Sequence, residues 1–256
     1  MSIIRPFKGI RPRADLASAI AALPYDVYNS EEAREIVAAE PKSFLQIDRA
    51  ETLLPKGTNP YSEAVYKTAS ETLNRMIDEG SFLQDKEPCY YLYALTMNGR
   101  TQTGLVGCAS IDDYCNNVIL KHENTLEAKE QDRIRHIDAC SAQTGPIFLA
   151  YRADKKLGEI IKNVRLTPEV YDFTSDDGIR HEVWRIDKMS TIVDISKIFE
   201  AIPHLYIADG HHRAASAVKV GLKRRAEDLH FSETKEYNYF LSVLFPADEL
   251  AIYDYN

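Results

Sequence analysis

Hydrophobic and polar residues follow two different periods along the chain, and each period predicts its own elements. Period-two alternation predicts a hairpin from YYLYALTM and RTQTGLVGCASI, joined at Asn98-Gly99, a dipeptide that favours the type I′ turn. A second hairpin is predicted from EVYDFTS and IRHEVWRID around Asp176-Asp177-Gly178. Short apolar runs predict three further strands, which are PIFLAY, LYIA and NYFLSVLF.

Apolar positions three and four residues apart predict the helices. The longest has Asn59 as its cap, Pro60 in its first position and Gly80 at its end, and its apolar face includes Tyr61 and Leu73. The other predicted helices are Glu31–Glu40 (starting after Asn29 or Ser30, with the serine as its cap), Leu126–Ser141, Lys155–Asn163, Ser190–Ala201 and Arg213–Leu222.

The order of these elements predicts the fold class. Helices mix with hairpins instead of alternating strictly with strands, which favours an α+β (mixed α/β) domain over a Rossmann or barrel fold. We expect a mixed sheet with hairpins and flanking helices, in one domain over residues 1–256. Neither GxGxxG nor GxxxxGK[ST] occurs, so the common nucleotide-binding loops are absent from the sequence.

Composition narrows the classes of partner. The chain is 45% hydrophobic and 27% charged, as expected for a globular protein with a sizeable core. Its net charge of −8 argues against a nucleic-acid partner, and no apolar run is long enough to predict a membrane span. The four cysteines form no CxxC pair and are expected to be reduced thiols in the cytoplasm.

The segment LYIADGHHRAASAVKV, Leu205–Val220, carries the strongest chemical signal. A buried strand, a sharp turn at Asp209-Gly210 and a helix would expose backbone N–H groups at the positive end of a helix dipole, where an anion can bind. Arg213 adds a bidentate phosphate partner, and His211 and His212 add further donors. Asp209 would either orient a histidine or hold Mg²⁺ beside the phosphate. The structural alternative is a helix cap followed by surface histidines.

A second segment, KHENTLEAKEQDR, concentrates charged residues at the start of a helix. It contains His122 and Glu123, followed by Lys129 and Arg133, which are four residues apart and share a helix face. That face suits phosphate contacts and suits a solvated helix surface equally well. Pro24-Tyr25-Asp26-Val27 alone is typical of a turn, and Arg180-His181-Glu182 is typical of cross-strand polar residues.

Together these segments resemble a bacterial and archaeal family known as a domain of unknown function, number one thousand and fifteen. The resemblance rests on PYDV at Pro24–Val27, on the HExT and KEDR-like segment, on the strand at Pro146-Ile147-Phe148 and on ADGHHR at Ala208–Arg213. The chain departs from the family pattern at Gln131 and at Ala214-Ala215. The resemblance implies that the chain is the N-terminal part of a longer protein.

The ADGHHR turn also resembles that of free serine kinases in the ParB and sulfiredoxin superfamily. This resemblance implies a ParB/sulfiredoxin-like core and phosphoryl transfer from ATP or ADP, with Mg²⁺, to a small hydroxyl substrate, with free L-serine as the first candidate. Asp209 to Arg213, with Lys129 and Arg133, would hold the nucleotide, and Asp209 would hold the metal ion. By position Asp26 is the expected base, with Glu123 as its rival and His122 as a further catalytic candidate.

Two other functions stay open from the sequence. One is a non-catalytic, nucleotide-binding regulatory module of the ParB type, and the other is a metal-dependent phosphatase or hydrolase. The expected partners are a nucleotide and a small molecule, without nucleic acid or membrane, and a homodimer is left open.

Overall fold

Helices and strands follow one another irregularly through residues 1–251, which the computed structural model describes except for the side chains of Ala128 and Lys129. The strands are β1 (Ile4–Arg5), β2 (Ile10–Pro12), β3 (Phe82–Gln84), β4 (Tyr90–Met97), β5 (Arg100–Ser110), β6 (Ile119–Leu120), β7 (Ile147–Tyr151), β8 (Tyr171–Thr174), β9 (Arg180–Ile186), β10 (Leu205–Asp209) and β11 (Tyr239–Pro246). The α-helices are α1 (Ala17–Ile20), α2 (Ser30–Ala39), α3 (Leu45–Asp48), α4 (Glu63–Asp78), α5 (Ile111–Cys115), α6 (Glu127–Cys140), α7 (Lys155–Val164), α8 (Met189–Ala201) and α9 (His211–Glu227).

One large sheet organises the molecule. Its strand order is β6-β10-β7-β11-β5-β4-β9-β8, and β1 pairs with β5 beside this path. The β10–β6 and β11–β7 pairs are parallel, whereas the other pairs are antiparallel. The mixed sheet and flanking helices confirm the predicted α+β class. A separate small sheet joins β2 to β3.

Both predicted hairpins are confirmed. The β4–β5 hairpin turns at Asn98 and Gly99, whose φ angles of 52° and 77° are both positive, as a type I′ turn requires. The β8–β9 hairpin pairs Tyr171 with Val183 and turns through Gly178, whose φ is 80°. Local turn chemistry and the period-two pattern therefore suffice for these four strands.

The starts of α4 and α2 differ from the prediction in ways that local capping explains. The helix α4 begins at Glu63 and not at Pro60, because Asn59 closes a turn before it: its carbonyl accepts from Ser62 N–H and its side chain accepts from Tyr61 N–H. Tyr61 is consequently 60% exposed and does not join the apolar face. The cap of α2 is Asn29 and not Ser30, because Asn29 and Glu32 form a reciprocal capping box.

In the part of the chain that the structure describes, most buried apolar side chains belong to one of two clusters. The larger lies between the main sheet and the helices that pack on it, and includes Phe199 of α8, Val218 of α9 and Phe240 of β11. The smaller gathers Ile20, Ile47 and Met76 with other apolar residues of α1, α3 and α4. Because α6 packs against both α4 and α9, it joins the two clusters.

Candidate functional site

The junction of β10 and α9 contains the DGHHR segment. Gly210 is the N-cap and has a φ of 89°, and α9 begins directly after it at His211. The prediction of a helix start at Arg213 was therefore wrong, because a left-handed glycine lets the chain enter the helix without an intervening turn. None of the described side chains caps this end of α9. Its first backbone N–H groups thus lie at the positive end of the helix dipole, where they can bind an anion.

Arg213 is held in place by two acceptors. Its Nη2 lies 2.6 Å from Asp209 Oδ2, and its Nη1 donates to the Pro146 carbonyl at 2.6 Å. The guanidinium also lies against the turn, because a Cβ added at Gly210 would stand 3.2 Å from it. Asp209 therefore orients Arg213 in this structure, and its own side chain remains 70% exposed.

A cavity of about 440 Å³ lies beside this junction. Arg213 lines it from the first turn of α9, and the walls are otherwise largely apolar. The polar side chains that also line it are Tyr25, Asp48, Tyr93, Arg133, His136, Gln143, Thr144, Asp177 and His181. A cavity whose wall is mostly apolar by area and into which polar groups converge is the usual form of a small-molecule site.

Asp48 is one of the two carboxylates that line this cavity, with Asp177, and it is hydrogen-bonded close to the backbone that holds Arg213. Thr144 donates its hydroxyl to Asp48 Oδ1 at 2.6 Å, and Pro146 accepts from Arg213. Because Thr144 and Pro146 are two residues apart, their Cα atoms are at most about 7 Å from each other. The carboxylate and the guanidinium are therefore anchored to one short stretch of backbone.

Arg133 adds a second cation to the cavity wall. It is 8% exposed, pairs with Asp132 at 2.7 Å and places its guanidinium 4.0 Å from the centre of the Tyr25 ring. Burial raises the pKa of Tyr25, so its hydroxyl is a neutral donor at physiological pH. The predicted PYDV segment and the predicted charged helix therefore meet at this cavity.

The other predicted residues lie in different surroundings. Asp26 is exposed and does not line the cavity, although its neighbour Tyr25 does. The side chain of Lys129 lies outside the described residues, so its predicted phosphate contact stays a prediction. Glu130, inside the same segment, is buried and bonded to Lys219 and Thr125, which ties α6 to α9 and to the preceding loop.

The HExT loop packs against the first turn of α9, outside the cavity lining. His211 and His122 are in edge-to-face contact, with ring centroids 4.4 Å apart, and His211 Nδ1 lies 3.6 Å from Glu123 Oε2. His212 Nε2 accepts a hydrogen bond from Leu126 N–H at 3.0 Å. The burial of His211, followed by the charge of His122, lowers the pKa of His211. The predicted residues His122 and Glu123 are thus neighbours of His211.

Asp48, His136 and Thr144 were missed in the sequence. His136 is buried, and its Nε2 lies 3.1 Å from the Ile47 carbonyl and 3.9 Å from Asp48 Oδ1. No motif surrounds Asp48, which ends the four-residue helix α3. Its place in the cavity depends on the packing of α3 against α4 and α2, which local sequence patterns do not indicate.

The buried histidine His136 is expected to make stability depend on pH. Burial lowers its pKa below the value of about 6.5 in an unfolded chain. As the pH falls through about 6.5, the unfolded chain takes up a proton that the folded chain does not, so the free energy of unfolding falls. His136→Asn should reduce this acid-side decline in urea unfolding measured from about pH 7.5 to about pH 5.

His204→Asn is the matched control for this change, because His204 is exposed on the segment before β10. It should leave the pH dependence of unfolding as it is in the original chain. If the His136 variant keeps the whole decline, the lowered pKa of His136 is not its cause.

Comparison with known proteins adds one positive result. No curated protein and no solved structure has significant similarity to the chain. Among the helices of residues 1–251, none combines the length and the apolar character that a bilayer span requires. The sequence model of one family, described as "Protein of unknown function (DUF1015)", matches residues 4–256. The chain therefore belongs to the DUF1015 family.

Proposed function

We propose that the protein is a nucleotide-dependent phosphotransferase, which moves a phosphoryl group from ATP or ADP to the hydroxyl of a small molecule, with free L-serine as the first candidate. One observation carries the proposal: Arg213, in the first turn of a helix without a side-chain cap, lines the same cavity as the Asp48 carboxylate. Phosphoryl transfer needs donors and cations for the phosphates and a carboxylate for the acceptor's proton.

The phosphates of the nucleotide would bind at the N-terminus of α9. The backbone N–H groups after Gly210 and the guanidinium of Arg213 supply donors and positive charge at one place. The resemblance of this turn to that of the free serine kinases supports the same assignment. A ParB/sulfiredoxin-like core around β10 and α9 is part of the proposal.

The acceptor would bind in the cavity with its hydroxyl toward Asp48. The hydroxyl proton passes to the Asp48 carboxylate while the oxygen forms the new O–P bond. The bond from phosphorus to the bridging oxygen of the nucleotide breaks, and ADP leaves from ATP, or AMP from ADP. Arg133, held by Asp132, adds positive charge to the cavity wall during this transfer.

Asp209 fits the role of a magnesium ligand. Mg²⁺ in such sites takes one or two carboxylates, phosphate oxygens and water, and the Asp209 carboxylate is 70% exposed beside the proposed phosphate position. A bound Mg²⁺ would neutralise the charge that develops on the phosphate oxygens.

The test is product formation with a matched pair of arginine variants. The protein is incubated with Mg²⁺, L-serine and either ATP or ADP, and O-phosphoserine is measured by mass spectrometry. Arg213→Ala should lower the rate about 30- to 1000-fold, because a charge-assisted phosphate contact contributes about 2–4 kcal/mol in the transition state. Arg152→Ala is the control. Arg213 contacts Pro146, just before β7, whereas Arg152 is exposed and follows the last residue of β7, at the other end of the strand.

Other outcomes would contradict the proposal in different ways. Nucleotide binding by calorimetry that requires Arg213, without any phosphorylated product from a panel of small hydroxyl compounds, would indicate the regulatory module. Release of inorganic phosphate that does not depend on an acceptor would indicate a hydrolase. Equal rates for the Arg213 and Arg152 variants would remove Arg213 from the site.

A further inference from the structure

His211 differs from the other histidines that the fold holds in place. His136 bonds to the Ile47 carbonyl, His181 to Tyr93 and Ser175, and His212 to Leu126 N–H. His211 is 5% exposed, yet among the side chains that the structure describes its buried Nε2 has no hydrogen-bond partner, and its Nδ1 lies 3.6 Å from Glu123 Oε2. A buried imidazole without a partner is costly, at about 1–3 kcal/mol for one unsatisfied group. The described residues therefore leave part of the hydrogen-bonding capacity of His211 unsatisfied.

The neighbours of His211 are two further metal-ligating side chains. His122, Glu123 and His211 can each offer one ligand atom, and these three atoms lie within 4.8 Å of one another. The distance of 3.6 Å from His211 Nδ1 to Glu123 Oε2 exceeds the usual hydrogen-bond range. It is close to the separation of about 3.3 Å between two ligand atoms of a tetrahedral ion bound at about 2.0–2.1 Å.

The arrangement also allows the three ligand atoms to reach metal-bonding distance from one ion. His211 is fixed in the first turn of α9, whereas His122 and Glu123 are exposed residues of the loop before α6. The loop is tethered to α9 by the hydrogen bond from Leu126 N–H to His212. One rigid ligand and two adjustable ligands on a tethered loop can reach metal-bonding distance without a change in the sheet.

From this geometry we infer that His122, Glu123 and His211 bind one divalent transition-metal ion of the Zn²⁺ class. Two imidazoles and a carboxylate suit Zn²⁺, whereas Mg²⁺ prefers a set of oxygen ligands. Three protein ligands leave a fourth position open for water or for an oxygen of an anion. This site is distinct from the Asp209 carboxylate, and the inference does not rest on the proposed phosphotransfer.

The experiment measures metal binding without a nucleotide. The purified chain is stripped with a chelator, titrated with Zn²⁺ by calorimetry and, separately, with Co²⁺, whose visible absorption is strong when it is four-coordinate. We expect the chain to bind one equivalent of Zn²⁺, which excess Mg²⁺ does not displace. The Zn²⁺ affinity of His122→Ala and of Glu123→Gln should be at least about 10- to 100-fold lower, since removing even an outer partner of a metal ligand has that effect.

His204→Ala is the matched control and should bind Zn²⁺ like the original chain, because His204 is exposed and outside the cluster. The two loop variants change exposed residues, so circular dichroism should report an unchanged fold, and His211→Ala can then be added. The inference is overturned if the chain binds no stoichiometric Zn²⁺, or if the His122 and Glu123 variants bind it as tightly as the control.

Discussion

Asp48→Asn is expected to lower the turnover number for phosphoryl transfer by about 10²- to 10⁴-fold, the contribution of a positioned general base. Asparagine has nearly the same shape, and its side-chain oxygen can still accept the hydrogen bond from Thr144, but it cannot take up the acceptor's proton. The KM for the nucleotide should change little, because the phosphates are proposed to bind at α9. Initial rates at saturating serine and varied nucleotide separate these two constants.

Asp26→Asn is the matched control for Asp48→Asn. Asp26 is the base that the resemblance to the free serine kinases implies, and it is exposed next to Tyr25, whereas Asp48 lines the cavity. The Asp26 variant should keep a turnover number within a few-fold of the original, provided that both variants melt at the same temperature as the original chain. Loss of turnover in the Asp26 variant and its retention in the Asp48 variant would reverse the assignment of the base.

Asp85→Ala should lower the free energy of unfolding by about 3 kcal/mol. The carboxylate is 5% exposed and accepts hydrogen bonds from Arg11 at 3.1–3.2 Å, from Arg185 at 3.2 Å and from Tyr91. These hydrogen bonds connect the small β2–β3 sheet to β4 and β9. The loss lies at the lower end of the usual range for a buried pair because both arginines are partly exposed.

Urea unfolding of Asp85→Ala and Asp15→Ala near neutral pH tests this expectation. Asp15 also pairs with an arginine, Arg13, but both side chains are exposed, so its variant should unfold at the original urea concentration. Burial alone would raise the pKa of Asp85, but hydrogen bonds from Arg11 and Tyr91 lower it overall. The stabilisation is therefore present near neutral pH and is lost as the pH falls through the folded pKa. Equal midpoints for the two variants would show that Asp85 does not fasten the two sheets.

Elements with strong local signals were predictable from the sequence. The Asn98-Gly99 turn and the period-two strands beside it define a hairpin without help from the rest of the chain. The helix α4 was found by its apolar spacing, with Leu73 and Met76 buried as that spacing requires. Its start was misplaced because Asn59 caps a turn as readily as a helix, and only the surrounding structure selects one of the two.

The residues of the candidate site also divide into those that local sequence patterns indicate and those that only the packed structure brings together. The β10–Gly210–α9 junction is continuous in sequence, so a strand, a glycine and a helix pattern were enough to find it. Asp48 could not be found from such a pattern, because it bonds to Thr144, 96 residues away, only after α3 packs against its neighbours. Four-residue spacing predicted a shared face for Lys129 and Arg133, but spacing alone could not indicate that Arg133 is buried against Tyr25.

The two edge strands of the main sheet affect how readily molecules of this protein associate at high concentration. In the described part of the chain, the sheet ends at β6, which has two residues, and at β8, which has four. On β8, Asp172 is held by Arg180 of β9, which places an ion pair along that margin. Short edge strands, one of which carries an ion pair, offer a neighbouring molecule few free backbone groups for intermolecular β-pairing. The folded chain is therefore built to resist ordered self-aggregation through its sheet.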